Sequence, residues 1–255
     1  MQITPLSAEW ERYFWKYVNQ DPLSYYFFIF DWKYKKAQSQ IFLAIDESDV
    51  VSGLMLVYNK HIVQIRGNQK ATQLLIDSLK EKTIELSAPL CCKDIILQKF
   101  PSPKLLQEIT LMQLQKEAEN IQITKKPQNL NFKDAEAIAT LMRISNPDYW
   151  VDFTSEALES IFNETIWVGI KDKQTLASIG VATSIERLSH IIFIATDKKY
   201  QNKGYATSIV STLVMKFLKK SPTTIIYVIS NNKPAIRAYS KVGFSRYRSY
   251  LFLKT

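Results

Sequence analysis

The residues best suited to chemistry in this chain surround one glycine. The chain has 255 residues and only six glycines. Gly204 lies in the run Gln201-Asn202-Lys203-Gly204-Tyr205-Ala206. Before it, residues 191–196 read as a strand. After it, residues 205–218 read as a helix with apolar groups at Ala206, Ile209, Val210, Leu213, Val214 and Phe217, a helical spacing. A glycine at such a turn lets main-chain N–H groups approach a ligand closely. The first turn of the helix adds unsatisfied N–H groups and about half a positive charge. Together these make a cradle for an anion of pyrophosphate type, and Lys198, Lys199 and Lys203 add charge beside it. Neither G-x-G-x-x-G nor G-x-x-x-x-G-K-[ST] occurs in the chain. A second run, from Tyr227 to Phe244, offers Asn232 as a helix N-cap, Pro234 in the first turn and Gly243 after the last. Asn232 and Tyr239 are two helical turns apart, so both can face one cleft. On spacing alone, Tyr239 reads as a core tyrosine.

Holding these groups in place requires a sheet with helices on it. Residues 9–19 read as a helix, and the aromatic run 21–34 reads as core and groove wall rather than as a platform for stacked bases. Strands are expected at 41–45, 50–57 and 61–66, helices at 69–82 and 94–99, and a strand at 105–115. Residues 116–120 are charged and mark a boundary. The same order of elements then begins again. A strand is expected at 121–124, helices at 134–144 (with Asn131 as N-cap) and 155–162, and a strand pair at 165–171 and 176–184. The strand and helix around Gly204 follow, then a strand at 224–230, a helix at 234–241 and a strand at 246–253. The expected fold is α+β (mixed α/β), a central, mostly antiparallel twisted sheet flanked by helices. It is present in two copies, 1–120 and 121–255, that repeat in element order.

The pattern [QR]-x-x-G-x-[GA] between strand and helix resembles motif A of the GNAT superfamily, the acetyl-CoA-dependent N-acetyltransferases. The run 227–244 resembles motif B of the same family, where a strand ends at Asn, a short helix carries Ala and Tyr, and Gly-Phe closes it. The resemblance covers residues 121–255 and implies a GNAT fold and acetyl-CoA (coenzyme A) as cosubstrate, with no metal. It implies that the strand before the loop parts from its neighbour and that Ile194, Ala195 and Thr196 pair with the pantetheine arm. The amides of Asn202, Lys203, Gly204, Tyr205, Ala206 and Thr207 would hold the pyrophosphate, and Asn232 would reach the pantetheine side. A main-chain N–H near Ala195 or Thr196 would stabilise the oxyanion, and Tyr239 would protonate the departing thiolate. The acceptor would be a primary amine on a small molecule or a protein N-terminus. The base stays open among Glu186, His190 and water, with Asp148, Tyr149 and Asp152 in the family's substrate-facing region. Residues 1–120 share only the element order: Gly67 precedes a helix without the motif, so this half is expected to be a degenerate copy that binds no coenzyme.

Composition bounds the alternatives. Hydrophobic residues make up 46% and charged residues 22% of the chain, which excludes a disordered chain. The net charge of +9 lies entirely in residues 121–255, and residues 197–255 carry 12 basic residues against one acidic residue, Asp197. A polyanionic partner is implied. Nucleic acid is the less favoured one, because no binding-module motif accompanies Arg246 and Arg248. No apolar run approaches the ~20 residues of a membrane span, and residues 1–10 show no signal-peptide pattern. Two adjacent cysteines, Cys91 and Cys92, make no disulfide scaffold, so a cytoplasmic protein is expected. An acyl-CoA-binding sensor without turnover is the alternative to an enzyme.

Overall fold

The computed structural model describes every residue except Lys82, Val151 and Asp152, and only the backbone of Asp148, Tyr149 and Ser160. The chain divides into two compact units, Met1–Thr110 with Arg248–Thr255, and Leu111–Tyr247. The division does not fall at residue 120. It falls inside two strands, 105–115 and 245–254, because residues 250–254 pair antiparallel with residues 85–89.

The first unit contains strands β1 (Gln2–Pro5), β2 (Ser39–Ile45), β3 (Val51–Tyr58), β4 (Ile62–Gly67) and β5 (Glu85–Pro89). Its helices are α1 (Ala8–Val18), α2 (Tyr26–Tyr34), α3 (Gln69–Ser78) and α4 (Lys93–Lys99). Strands β1 to β4 pair antiparallel in chain order, and β4 pairs parallel with β5 across α3. One core joins Val63, Ile65, Leu75, Ile76 and Leu86 to Ile96 of α4. The aromatics of α1 and α2 are core only in part: Phe14 and Phe28 are fully buried and Tyr26 nearly so, while Tyr13 and Tyr34 are exposed. Strands β1 and β5 were not legible beforehand, since both are short and carry a proline and polar residues that blur the alternation.

The second unit begins with the end of β6 (Leu105–Gln115), followed by β7 (Gln128–Asn129), α5 (Ala135–Ser145), α6 (Pro147–Trp150) and α7 (Glu159–Phe162). Then come β8 (Ile166–Asp172), β9 (Thr175–Ile185), β10 (Leu188–Thr196), α8 (Tyr205–Phe217), β11 (Thr223–Ile229), α9 (Lys233–Val242) and the start of β12 (Ser245–Lys254). The sheet order is β6-β11-β10-β9-β8-β7. Neighbours from β7 to β10 run antiparallel, while β10 and β11 run parallel across α8. One face of the sheet packs on α8 and α9 through Ile209, Leu213, Val214 and Val242. The other packs on α5 through Ile138 and Met142, and on Leu158 at the entry to α7. Asn131 caps the entry to α5 in a capping box with Asp134, as its position implied.

The strand expected at 121–124 does not form. Those residues lie against α8, and their N–H groups find side-chain acceptors there. Gln122 N donates to Ser211 Oγ (3.0 Å), and Thr124 N and Lys125 N donate to Ser208 Oγ (both 3.1 Å). Two serines one turn apart on a buried helix face therefore do the work of a neighbouring strand. No described helix is long and apolar enough to cross a membrane.

His190 sits inside the paired part of β10, 5% exposed, its ring 5.7 Å from that of Tyr227. Burial pushes its pKa from 6.5 down to about 3. The unfolded chain therefore binds a proton that the folded one rejects. Stability from this group is complete above pH 6.5 and declines as pH falls toward 3, by at most ~1.4 kcal/mol per pH unit. Asp31 in α2 acts oppositely, because burial raises its pKa from 3.8 to about 7 and stability is lost as pH rises between those values. The comparison must therefore be between variants, not a single profile. His190→Phe should flatten the fall in urea midpoint between pH 7 and pH 4.5. An unchanged slope would exclude this account.

Candidate functional site

The parallel pairing of β10 with β11 covers only Leu188↔Thr223 to Ile191↔Ile226. Beyond that point β11 continues to Ile229, while β10 stays on β9 to its end at Thr196↔Ser178. The two strands part, and the opening is a cleft of about 490 Å³. A register shift between Ile191 and Phe193 marks where β10 changes course. Asp197 N donates to Ala177 O at 3.0 Å, which makes Thr196↔Ser178 a non-hydrogen-bonded pair. By the alternation of an antiparallel ladder, Ala195 then points its main-chain groups at β9, while Ile194 and Thr196 point theirs at the cleft. Thr196 O already accepts from Gln201 Nε2 (3.2 Å). Ile194 and Thr196 are thus the cleft's main-chain donors on this strand. Ala195, one of the two residues expected to supply an oxyanion donor, contributes only wall.

The loop that follows is tightly folded. Asp197 caps a turn at Lys198–Tyr200 by accepting from Lys199 N (2.9 Å). Asn202 and Gly204 both take positive φ, 59° and 81°. Gly204 is the N-cap of α8 and offers no side-chain acceptor. The first intrahelical bond is Ser208 N to Gly204 O (3.0 Å). The N–H groups of Gly204, Tyr205, Ala206 and Thr207 therefore have no acceptor within the helix, and all four residues line the cleft. A Cβ on residue 204 would meet Thr124 Oγ1 at 2.8 Å. Both the backbone conformation and the space there require glycine.

Helix α9 closes the cleft on the β11 side. Asn232 accepts from Ala235 N through its side-chain oxygen (3.1 Å), which fixes the amide at the helix start. Tyr239 is 6% exposed and lines the cleft from two turns further on. Burial raises its pKa well above the ordinary phenol value, so the hydroxyl keeps its proton. Gly243 ends the helix in the left-handed conformation, φ 111°.

Of the eleven residues singled out in sequence, ten line this cleft: Ile194, Ala195, Thr196, Asn202, Gly204, Tyr205, Ala206, Thr207, Asn232 and Tyr239. Lys203 does not. Its ammonium folds back to Lys199 O (2.8 Å) and lies 6.0 Å from the ring of Tyr200. The two base candidates are also away from the cleft. Glu186 is exposed in the two-residue turn between β9 and β10, at the opposite end of β10 from Thr196, and His190 is enclosed where the strands still pair. Asp152 and the side chains of Asp148 and Tyr149 fall outside the described residues. The cleft also takes in Ser145 and Asn146 from the end of α5, Tyr200, Tyr227, Arg237 and Lys241. Arg237 and Lys241, four apart on the helix of Tyr239, could have been found from spacing. Ser145 and Asn146 come from a remote part of the chain and carried no signal. No described cleft residue is a carboxylate or an imidazole, and among the described residues no His, Cys, Asp or Glu cluster could hold a metal.

Residues 167–253 match the family of FR47-like proteins. None of the curated proteins matches the sequence. Among solved structures, a Drosophila protein superposes with a TM-score of 0.73 at 11% identity, over 99% of this chain and 97% of its own. A GNAT-family acetyltransferase from Colwellia psychrerythraea gives 0.60 at 13% identity, over 100% and 99%. A tandem GNAT protein from the clavulanic acid biosynthesis pathway gives 0.56 at 9% identity, over 85% and 82%. The chain has the GNAT fold, and the FR47-like match falls mostly in its second unit, residues 167–247, and runs on to residue 253.

Gly204→Val tests the helix mouth. A β-branched residue at this φ should lower stability by ~1–3 kcal/mol and fill the space beside Thr124. Inorganic pyrophosphate should raise the thermal midpoint of the wild-type protein and leave that of the variant unmoved. A wild-type midpoint indifferent to pyrophosphate would mean that the mouth is no anion site.

Proposed function

We propose that the second unit is an N-acetyltransferase that moves an acetyl group from acetyl-CoA to a primary amine by direct attack. The observation that carries this reading is the continuity of the cleft. An opened strand pair leads, in one cavity, from the main-chain donors of Ile194 and Thr196 to the uncapped mouth of α8. A long ligand with a peptide-like arm and a pyrophosphate matches that sequence of donors. The arm would add to β10 as a further strand, and the pyrophosphate would take the N–H groups of residues 204–207.

Bound acetyl-CoA supplies an activated thioester carbonyl. The chain supplies the surroundings. A main-chain N–H of Ile194 or Thr196 stabilises negative charge as it develops on the carbonyl oxygen. Tyr239 stays protonated at any working pH and donates its hydrogen bond to the departing sulfur. The amine must arrive without its proton, and no carboxylate or imidazole among the described cleft residues can take it. Removing a proton from a lysine-like amine at pH 7 costs roughly 4–5 kcal/mol, against ~1–1.5 kcal/mol for an amine of pKa near 8. The cleft is therefore suited to a weakly basic amine, such as an α-amino group, deprotonated through water.

We propose further that the first unit binds no coenzyme. The mouth of α3 is closed by its own residue: Asn68 Oδ1 accepts from Ala71 N (2.9 Å). A sensor without turnover remains the second reading of the second unit, since the same donors would bind the cosubstrate without chemistry.

An amine panel with acetyl-CoA, followed by thiol release with Cys91 and Cys92 blocked, distinguishes the two. Tyr239→Phe should lower kcat by ~10²-fold and leave the affinity for acetyl-CoA within about twofold. Tight binding with no acceptor in any amine class would favour the sensor. With amines of graded pKa, the ascending limb of kcat/KM, where activity rises with pH, should follow the pKa of the amine. A limb fixed at one pH for all amines would reveal a base on the protein.

A further inference from the structure

The first unit contains its own opened strand pair, and it holds a buried cation. Parallel pairing of β4 with β5 runs from Ile62↔Glu85 to Gln64↔Ser87, although β4 continues to Gly67 and β5 to Pro89. Arg66 fills the beginning of that opening and is 3% exposed. Its Nη1 donates to Ile65 O (2.8 Å) and Ser87 O (3.0 Å), and its Nη2 donates to Gln64 Oε1 (3.0 Å) and Ser87 Oγ (3.3 Å). The guanidinium carbon lies 3.8 Å from the centroid of the Tyr250 ring. Four of five N–H groups are thus spent, all on neutral acceptors, and Nε is buried without a partner. No carboxylate among the described residues forms an ion pair with Arg66. The cavity's acidic residue, Asp21, pairs with Arg248 at 2.8 Å. A charge this deeply buried normally has a counter-charge, because desolvation alone is strongly unfavourable.

Arg66 also lines a second cavity, of about 460 Å³. Its walls include Tyr17, Tyr25 and Leu90, and it contains Ser24, whose hydroxyl is likewise buried without a partner. We propose that this cavity binds a small organic carboxylate with a flat apolar body, whose charge neutralises Arg66. The chemistry selects a carboxylate over a phosphate. Arg66 lines the cavity with its charge uncompensated by any carboxylate among the described residues, and a single negative charge beside it is enough to neutralise it. Asp21 at the same cavity repels a dianion more than a monoanion. The tyrosine rings give the apolar body its contact surface. This binding site is independent of the transferase reading of the second unit.

Cys91 provides the readout. It is exposed and lines the cavity, whereas its neighbour Cys92 is buried, with its thiol pushed up to about 11. Benzoate should slow labelling of Cys91 by the neutral reagent 4,4′-dithiodipyridine in a saturable way, in the full-length protein. Benzamide, the uncharged isostere, should bind about tenfold more weakly or worse, as loss of a charge-assisted hydrogen bond implies. Inorganic phosphate should not protect. Arg66→Gln should abolish the difference between benzoate and benzamide, and Ser24→Ala should weaken benzoate by a smaller factor. The wild-type comparison needs no variant, so a misfolded Arg66→Gln protein leaves the test intact. Equal protection by benzoate and benzamide, no protection by benzoate, or stronger protection by phosphate would overturn the proposal.

Discussion

The geometry of the cleft depends on β10 leaving β11 while remaining bonded to β9. A strand that loses both neighbours becomes a loop, and its N–H groups lose their direction. A strand that keeps both has no donors to offer. β10 keeps one neighbour as far as Thr196 and loses the other after Ile191, so alternate main-chain groups project into the gap from a fixed ladder. The same departure leaves room for α8 to begin inside the gap. Its buried serines, Ser208 and Ser211, tie residues 122–125 along its flank and leave its mouth open.

Electrostatics in this cleft rest on dipoles and hydrogen bonds more than on acids and bases. The described lining offers main-chain donors, hydroxyls, amides and the two cations of α9, with no carboxylate or imidazole. Such a lining stabilises charge that develops during a reaction and cannot itself remove a proton. Burial of Tyr239 has the same character, since it suppresses ionisation and preserves a donor. On the proposed transferase reading, the proton inventory passes to the acceptor amine, and its basicity becomes part of the specificity.

Much of the second unit was legible because its signals are local. The glycine N-cap, the apolar spacing of α8 and the Asn-to-Gly span of α9 each depend on residues within about two turns. Those elements lie within a residue or two of their expected bounds. What escaped was set by distant partners. Residues 121–124 alternate like a strand, yet serines more than 80 positions away satisfy them. Lys203 is charged and adjacent to the cradle, yet its ammonium turns back to Lys199 O and toward the Tyr200 ring. The charge expected beside the cradle is thus directed elsewhere, while the main-chain N–H of Lys203 is a separate matter. The parting of the strands that forms the cleft leaves no residue pattern of its own; it entered only through the resemblance to a family.

The two units show how one capping residue decides what a helix mouth can do. Each unit has a parallel strand pair with a helix between the strands, and in each the pairing ends early. In the second unit the N-cap is a glycine in the left-handed region, which leaves the first-turn N–H groups to an external acceptor. In the first unit it is Asn68, with extended backbone and a side chain that accepts from Ala71 N. Asparagine is among the best N-caps, more stabilising than glycine by only a few tenths of a kcal/mol. A better cap is a worse anion site, because the donor that would hold the ligand is already occupied. Arg66 fits the same logic. On the proposed reading that the first unit takes no coenzyme, the opening between β4 and β5 is free to enclose a cation, an arrangement that would be redundant beside a mouth already directing its own positive end at a ligand.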